Sequence, residues 1–334
     1  MKAMVIREAN GDFQLEERDV PDPEPGWVRI KVEACGICHS DAFVKTGGFP
    51  GLKMPRVPGH EVAGVVDALG EGVDTLEVGA RVGVGWHGGH CFTCPQCRRG
   101  DFIGCENEQI CGISYDGGYQ EHMVAPLAAV ARIPDELSFV DAGPLLCAGV
   151  TTFNAIRNSG VRPGDTVAIQ GVGGLGHLGV QYANRMGMRT VALSRGTDKK
   201  ELAAELGAHH YVDAKAQDPV EELEKLGGAD LILATAPHAE AISSVIGGLK
   251  RRGKLMIVAA AFGPIEVPAM AMLSGKQIHG WPSGTAVDSE DTMRFSALTD
   301  VRPMTETFAL EQANEGYAKM IENQARFRAV LTMS

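Results

Sequence analysis

The chain has 334 residues, 44% hydrophobic and 22% charged, the composition of an ordinary globular protein with room for two cores. Its formal net charge of -11 argues against a nucleic-acid or anionic-membrane surface, since such partners need a basic stripe to displace counterions. The opening MKAMVIREANGDF lacks the apolar core of a secretory signal and no run of eighteen apolar residues is present, so a cytosolic protein acting on small metabolites is expected.

Residues 1–148 are rich in Gly, Pro and short apolar runs such as Val28-Arg29-Ile30-Lys31-Val32 and Val62-Ala63-Gly64-Val65-Val66, which read as strands. Gly70-Glu71-Gly72 and Gly79-Ala80-Arg81-Val82 punctuate them as hairpin and bulge signals. Within this half, GICHSD (36–41) and PGHE (58–61) set a thiol, Cys38, and an imidazole, His60, in glycine-flanked turns. Zinc takes such soft and borderline ligands in a tetrahedral shell. A catalytic zinc needs three protein ligands and one open position, and Cys147 in the apolar run PLLCAG is the third candidate. Each residue alone has a blander reading: a histidine beside glycine is usually structural, and a cysteine in an apolar run is usually core.

Cys91, Cys94, Cys97 and Cys105 form C-x2-C-x2-C-x7-C. Eight cysteines in a reducing compartment point to metal rather than to disulfides, and four thiolates close a tetrahedron with no vacant position, so this metal is structural. Arg98 and Arg99 stand where they offset its surplus negative charge. A zinc-finger-like interaction module is the alternative, against which stand the acidic chain and the lack of a recognition helix.

From Gly149 the rhythm becomes strand, helix, strand, helix: strands over 166–170, 190–193, 210–212, 231–234 and 255–260, helices over 175–186, 199–206 and 239–249. Such alternation implies an α/β arrangement, a doubly wound parallel sheet covered on both faces. Leu175, Leu178, Tyr182 and Met186 form one buried stripe. Gly171-Val172-Gly173-Gly174-Leu175-Gly176 fits G-x-G-x-x-G between strand and helix, where the backbone approaches a pyrophosphate and the helix N-terminus offers free N–H groups. At the end of the second strand an acidic residue would bind the ribose of NAD. Ser194-Arg195 stands there instead, and a guanidinium suits the 2′-phosphate of NADP, although Arg195 also reads as a solvated charge and NAD stays the alternative. After Ser283 the pattern is irregular until ARFRAVLTMS, whose alternation predicts a final strand.

The succession GICHSD, PGHE and LLCAGVTT, with the cysteine cluster and the glycine turn, resembles the zinc-dependent medium-chain alcohol dehydrogenases over essentially the whole chain. That resemblance implies a β-rich GroES-like catalytic domain over 1–148 with a return over 284–334, and a Rossmann nicotinamide-dinucleotide domain over 149–283. It implies two zinc ions per chain, one held by Cys38, His60 and Cys147, and hydride exchange between small alcohols or aldehydes and NADP or NAD. By position-by-position match, Asp41 orients the zinc histidine, Ser40 passes the alcohol proton outward and Glu61 is the acid behind the metal. His39 and Arg328 match basic groups on the cofactor pyrophosphate, and Phe49 and Trp86 match walls of the substrate pocket. One departure is Phe43, where many members carry the next histidine of the proton path. Relatives are homodimers or homotetramers. Short and medium primary alcohols rank first as substrates, cinnamyl-type aromatic ones next. The other readings are a quinone or enoyl reductase, which lacks both thiol sets, and a non-catalytic zinc-stapled nucleotide-binding scaffold.

Overall fold

The longest strand, Trp27–Ile37, organises the first part of the molecule. In this computed structural model, which describes residues 1–333, its first part alternates buried and less buried residues before its last four become fully buried. The strand therefore enters with one face toward solvent and ends inside the protein. It pairs antiparallel with Val62–Leu69, with His122–Pro126 and with the C-terminal strand Arg328–Thr332. The sheet continues through Arg81–Val84 to Val130–Arg132 on one side and to Thr305–Ala309 on the other. Its core joins Ile30, Val32, Ile37, Val62, Val84 and Tyr119 with Leu331 from the tail.

Two compact units result: Met1–Val150 with Ser283–Ser334, and Thr151–Pro282. The tail lies in the first unit because Ala329–Thr332 register against Ala34–Ile37. This stretch is irregular in its sequence pattern up to its last strand, yet it holds a 14-residue helix, Ala286–Thr299, and a second helix, Ala313–Ile321. The first escapes hydrophobic periodicity because the residues it buries are Ser289, Thr292, Met293 and Ser296, a mostly polar face. It starts with a capping box in which Thr285 and Asp288 satisfy each other's backbone N–H groups.

In the second unit six parallel strands lie in the order His210–Asp213, Arg189–Ser194, Thr166–Gln170, Ala229–Ala234, Leu249–Ile257, Gln277–Gly280. Numbered along the chain this is 3-2-1-4-5-6, the dinucleotide-binding order. The helix expected over 239–249 stops at Ser244, passes through a tight turn at Ile246–Gly248, and gives way to a strand already at Leu249. The polar residues Lys250–Gly253 hid that strand. They form an irregularity between the pairs Ala229↔Leu249 and Leu231↔Lys254, with Arg252 at φ 62°. A further helix, Pro219–Lys225, N-capped by Asp218, was not expected between the third and fourth strands.

One helical stretch, Phe139–Arg157, is 19 residues long and apolar enough to cross a membrane by length and composition, but 78% of it is buried inside the protein. It is a core helix. Its first segment is N-capped by Ser138, and Leu145–Gly149 widens into a π-helical turn, the kind of bulge common at functional sites.

Candidate active site and metal centres

Antiparallel pairing brings the first cluster together. Cys35 registers with Val62, so Cys38, just past the end of one strand, and His60, just before the start of the next, emerge at the same end of the sheet. The π-helical turn delivers Cys147 from a third direction. Donor atoms of Cys38, His60, Glu61 and Cys147 all lie within 4.8 Å of one another, with the two sulfurs 3.7 Å apart. His60 Nδ1 faces Asp41 Oδ1 at 3.2 Å, while its Nε2 is buried and has no hydrogen-bond partner. A buried ring nitrogen without a partner, set among two thiols and a carboxylate, fits a divalent metal and fits zinc by its N and S donors.

The electrostatics point the same way. Cys38 is held well below the usual thiol value, chiefly by the hydrogen bond from Cys147 and, against the cost of burial, by His60 and Arg328. Cys147 is correspondingly pushed well above it by that same bond and by burial. The bond between the two sulfurs occupies the place a metal cation takes when both become thiolates. Burial lowers the His60 value, but Asp41 and Cys38 outweigh it and hold the ring well above the usual imidazole range, so the pocket favours positive charge. Burial likewise pushes Glu61 up to about 7 despite the neighbouring Arg328 guanidinium.

Arg328, 6% exposed, gives its guanidinium to Glu61, which is wholly buried, and also reaches the Ile37 carbonyl at 3.5 Å. Gly36 is required opposite this pair, because a Cβ there would fall 1.9 Å from Glu61 Oε2. Trp86 meets the His60 ring edge to face at 4.9 Å and Phe49 at 6.1 Å, and both aromatics pack on Val44, Ile110 and Ile113. Phe43 is in turn edge-on to Phe49 at 6.0 Å. His39 is exposed and Ser40 half-buried, one and two residues past Cys38.

The four remaining metal-type cysteines converge without help from distant chain: the sulfurs of Cys91, Cys94, Cys97 and Cys105 also lie within 4.8 Å of one another. Backbone N–H groups point at them, from Cys91 and Asn107 to Cys105 Sγ (3.4 and 3.3 Å) and from Cys94 to Cys91 Sγ (3.3 Å). Hydrogen bonds from Thr93 and Asn107 lower the Cys91 thiol to about 5, whereas burial and then Cys105 raise Cys97 to about 12. Donors aimed at sulfur suit thiolates, and the set fits a closed tetrahedral zinc. Arg98 and Arg99 in the same loop are exposed.

In the second unit the glycine turn runs from the strand Thr166–Gln170 into the helix Gly176–Arg185. Gly171 has φ 94°, and a Cβ on Gly176 would stand 1.8 Å from the Gly171 carbonyl oxygen, while Gly173 has nothing within 4 Å. Leu175 occupies the N-cap position of the helix and Gly174 precedes it. The turn thus packs tightly below and stays open above, as a phosphate cradle does. Leu178 and Tyr182 of the expected stripe are fully buried. Ser194 closes the second strand and Arg195 is exposed after it. Asp213, which pairs across from Ser194, is committed to the backbone N–H groups of Gly196 (2.6 Å) and Lys215 (2.9 Å). Lys199 Nζ donates to the Val172 carbonyl at 2.7 Å, tying this loop to the glycine turn.

Beside the first cluster the sequence marks the flanking Gly36 and Gly59 but not Tyr119, whose hydroxyl donates to Asp41 Oδ2 at 2.9 Å. Tyr119 lies 78 positions from its carboxylate, with no spacing to announce it.

Comparison with known proteins places these features in a family. Residues 24–135 match the alcohol dehydrogenase GroES-like domain and residues 174–298 the zinc-binding dehydrogenase domain. The chain is 48% identical to alcohol dehydrogenase patD of Penicillium expansum, over 99% of this chain and 97% of that one. It is 38% identical to an alcohol dehydrogenase of Geobacillus stearothermophilus, over 100% and 99%. Among solved structures, a cinnamyl alcohol dehydrogenase of Sorghum bicolor superposes with a TM-score of 0.88 at 29% identity, over 99% of this chain and 97% of that one. With its paired thiol sets, its glycine turn and these relatives along its whole length, the chain belongs to the zinc-dependent medium-chain alcohol dehydrogenase family.

Proposed function

We propose that this alcohol dehydrogenase interconverts primary alcohols and aldehydes with a preference for NADP(H), using one zinc at Cys38, His60 and Cys147 for chemistry and one at Cys91, Cys94, Cys97 and Cys105 for stability. The observation that carries the reading is the partnerless His60 Nε2 beside two sulfurs 3.7 Å apart. A zinc held there would supply Lewis acidity, lowering the pKa of a hydroxyl or polarising a carbonyl.

The chain's own residues do the rest. Asp41 Oδ1 faces His60 Nδ1 at 3.2 Å and so holds the ring with Nε2 turned to the metal. Ser40 carries the substrate proton away from the site, and with Phe43 in place of a histidine the onward route runs through solvent or the cofactor ribose. Trp86 and Phe49 give the pocket an apolar wall that favours small aliphatic and aromatic alcohols over strongly polar ones. Arg328, paired with Glu61, balances charge behind the ligands, and with the exposed His39 it is the basic group that the family match implies for the cofactor pyrophosphate.

NADP preference rests on Ser194 and Arg195 at the end of the second strand, with Asp213 bound to backbone N–H groups and Lys199 close to the glycine turn. A guanidinium facing a 2′-phosphate forms a bidentate pair. Aromatic alcohols of the cinnamyl type are the second substrate reading, favoured by the likeness to the sorghum enzyme. The assembly we propose is a homodimer or homotetramer, as the family resemblance implies.

Zinc analysis of the purified protein with nicotinamide absorbance assays on ethanol, benzyl alcohol and benzaldehyde, each with NADP(H) and NAD(H), tests the proposal. Two zinc ions per chain and faster turnover with NADP(H) are expected. One zinc and no turnover with any pair would leave a nucleotide-binding scaffold in its place.

A further inference from the structure

We infer that Tyr119 is a positioning residue of the first metal site, holding Asp41 so that Asp41 fixes the His60 ring; this rests on the reading that Asp41 orients His60 toward zinc. Tyr119 is fully buried. Its hydroxyl meets Asp41 Oδ2 at 2.9 Å, and the Cys38 backbone N–H donates to the same oxygen at 2.8 Å. Two donors on Oδ2 stop the carboxylate from turning about its last bond, a torsion that is otherwise soft. Oδ1 is thereby left facing His60 Nδ1 at 3.2 Å.

The backbone shows the same connection. Gly117, Gly118 and Tyr119 donate to the carbonyls of Val57, Gly59 and Pro58 at 2.8, 3.0 and 3.0 Å, so the Tyr119 segment is laced to the turn that carries His60. Gly59, next to the histidine, has φ 103°, and a Cβ there would stand 2.4 Å from Tyr119 Cδ1. The glycine of the GHE turn therefore makes room for the Tyr119 ring. Phe13 braces that ring edge-on at 5.7 Å. Burial, and after it Asp41, push the phenol well above the usual tyrosine value, so Tyr119 is a donor throughout the working pH range.

Changing an outer partner of a metal ligand typically costs 10–100-fold in metal affinity, and Tyr119 stands one bond further out, so an effect of about 10-fold is expected. The test follows zinc transfer from the as-purified enzyme to a chromogenic chelator, with the phase belonging to the first site identified by its absence in Cys147→Ser. Tyr119→Phe should speed that phase about 10-fold, leave the four-cysteine phase unchanged and shift the visible bands of the cobalt-substituted enzyme. 4-Aminophenylalanine at position 119, which keeps a donor, should restore the wild-type rate. If Tyr119→Phe does not fold, 4-fluorophenylalanine, of tyrosine's size but without a donor, takes its place. An unchanged rate and spectrum in the donor-less variants, with both altered in Asp41→Asn, would overturn the role of Tyr119 alone. Equal acceleration of both zinc phases would mark a general loss of packing and overturn it too. No change in Asp41→Asn either would remove the underlying reading of Asp41 together with this one.

Discussion

The Glu61–Arg328 pair permits a prediction with an asymmetry in it. Both side chains are buried, at 0% and 7% exposure, and breaking such a pair from one side costs about 3–5 kcal/mol because a charge is left without a partner. The two sides are not equivalent. Arginine cannot release its proton, so Glu61→Gln strands a guanidinium beside the Ile37 carbonyl and should cost the full amount. Glu61 already lies at about 7 through burial, and the removal of Arg328 takes away its main stabilising cation, so in Arg328→Met the carboxyl takes up a proton. That reduces the loss to about 1–3 kcal/mol, the range for a buried polar group lacking a partner. At roughly 2–4 °C per kcal/mol for a domain near 200 residues, calorimetry of enzyme freed of the metal at its first site should show Glu61→Gln melting roughly 6–20 °C lower, and Arg328→Met clearly less. The double variant should melt well above the sum of the two losses, a coupling of at least about 1 kcal/mol. Additive single effects, or an Arg328→Met loss exceeding that of Glu61→Gln, would refute the reasoning.

The two thiol sets should respond differently to loss of one ligand. Cys147→Ser is expected to abolish turnover with little change in melting, whereas Cys97→Ser should lower the melting temperature and release the loop's zinc, since closed sites contribute folding energy; equal loss of fold in both variants would contradict the division. Gly176→Ala forces a Cβ to within 1.8 Å of the Gly171 carbonyl oxygen, so nicotinamide fluorescence titration should show dinucleotide affinity reduced by about 10-fold or more, corresponding to about 1.4 kcal/mol, with zinc content unchanged. Ser194→Asp should shift the ratio of kcat/KM toward NAD by placing a ribose acceptor at the end of the second strand; an unchanged or stronger NADP preference would dissociate Ser194 from the choice.

The features readable along the chain were those whose partners are close in sequence. Cys91 to Cys105 close their own loop, and the glycine turn needs only the strand before it and the helix after it, so local spacing carries both. Strands and helices with apolar periodicity were equally plain. The helix Ala286–Thr299 was not, since it buries serine and threonine, and the strand starting at Leu249 was not, since a charged irregularity interrupts its pairing.

For the first metal site, composition and resemblance named Cys38, His60 and Cys147, but their meeting depends on tertiary structure. The Cys35↔Val62 register sets two ligands side by side, and a π-helical turn aims the third. Arg328 reaches Glu61 across 267 positions because the last strand is seated against Ala34–Ile37. The chain of contacts from Tyr119 through Asp41 to His60 likewise exists only once the turns at 57–59 and 117–119 are joined. Residue identity determines which chemistry is available, because sulfur, imidazole and carboxylate have intrinsic affinities. Which nitrogen stays free for a metal, and which charges face one another, is decided by long-range backbone register, and that is a property of the folded chain alone.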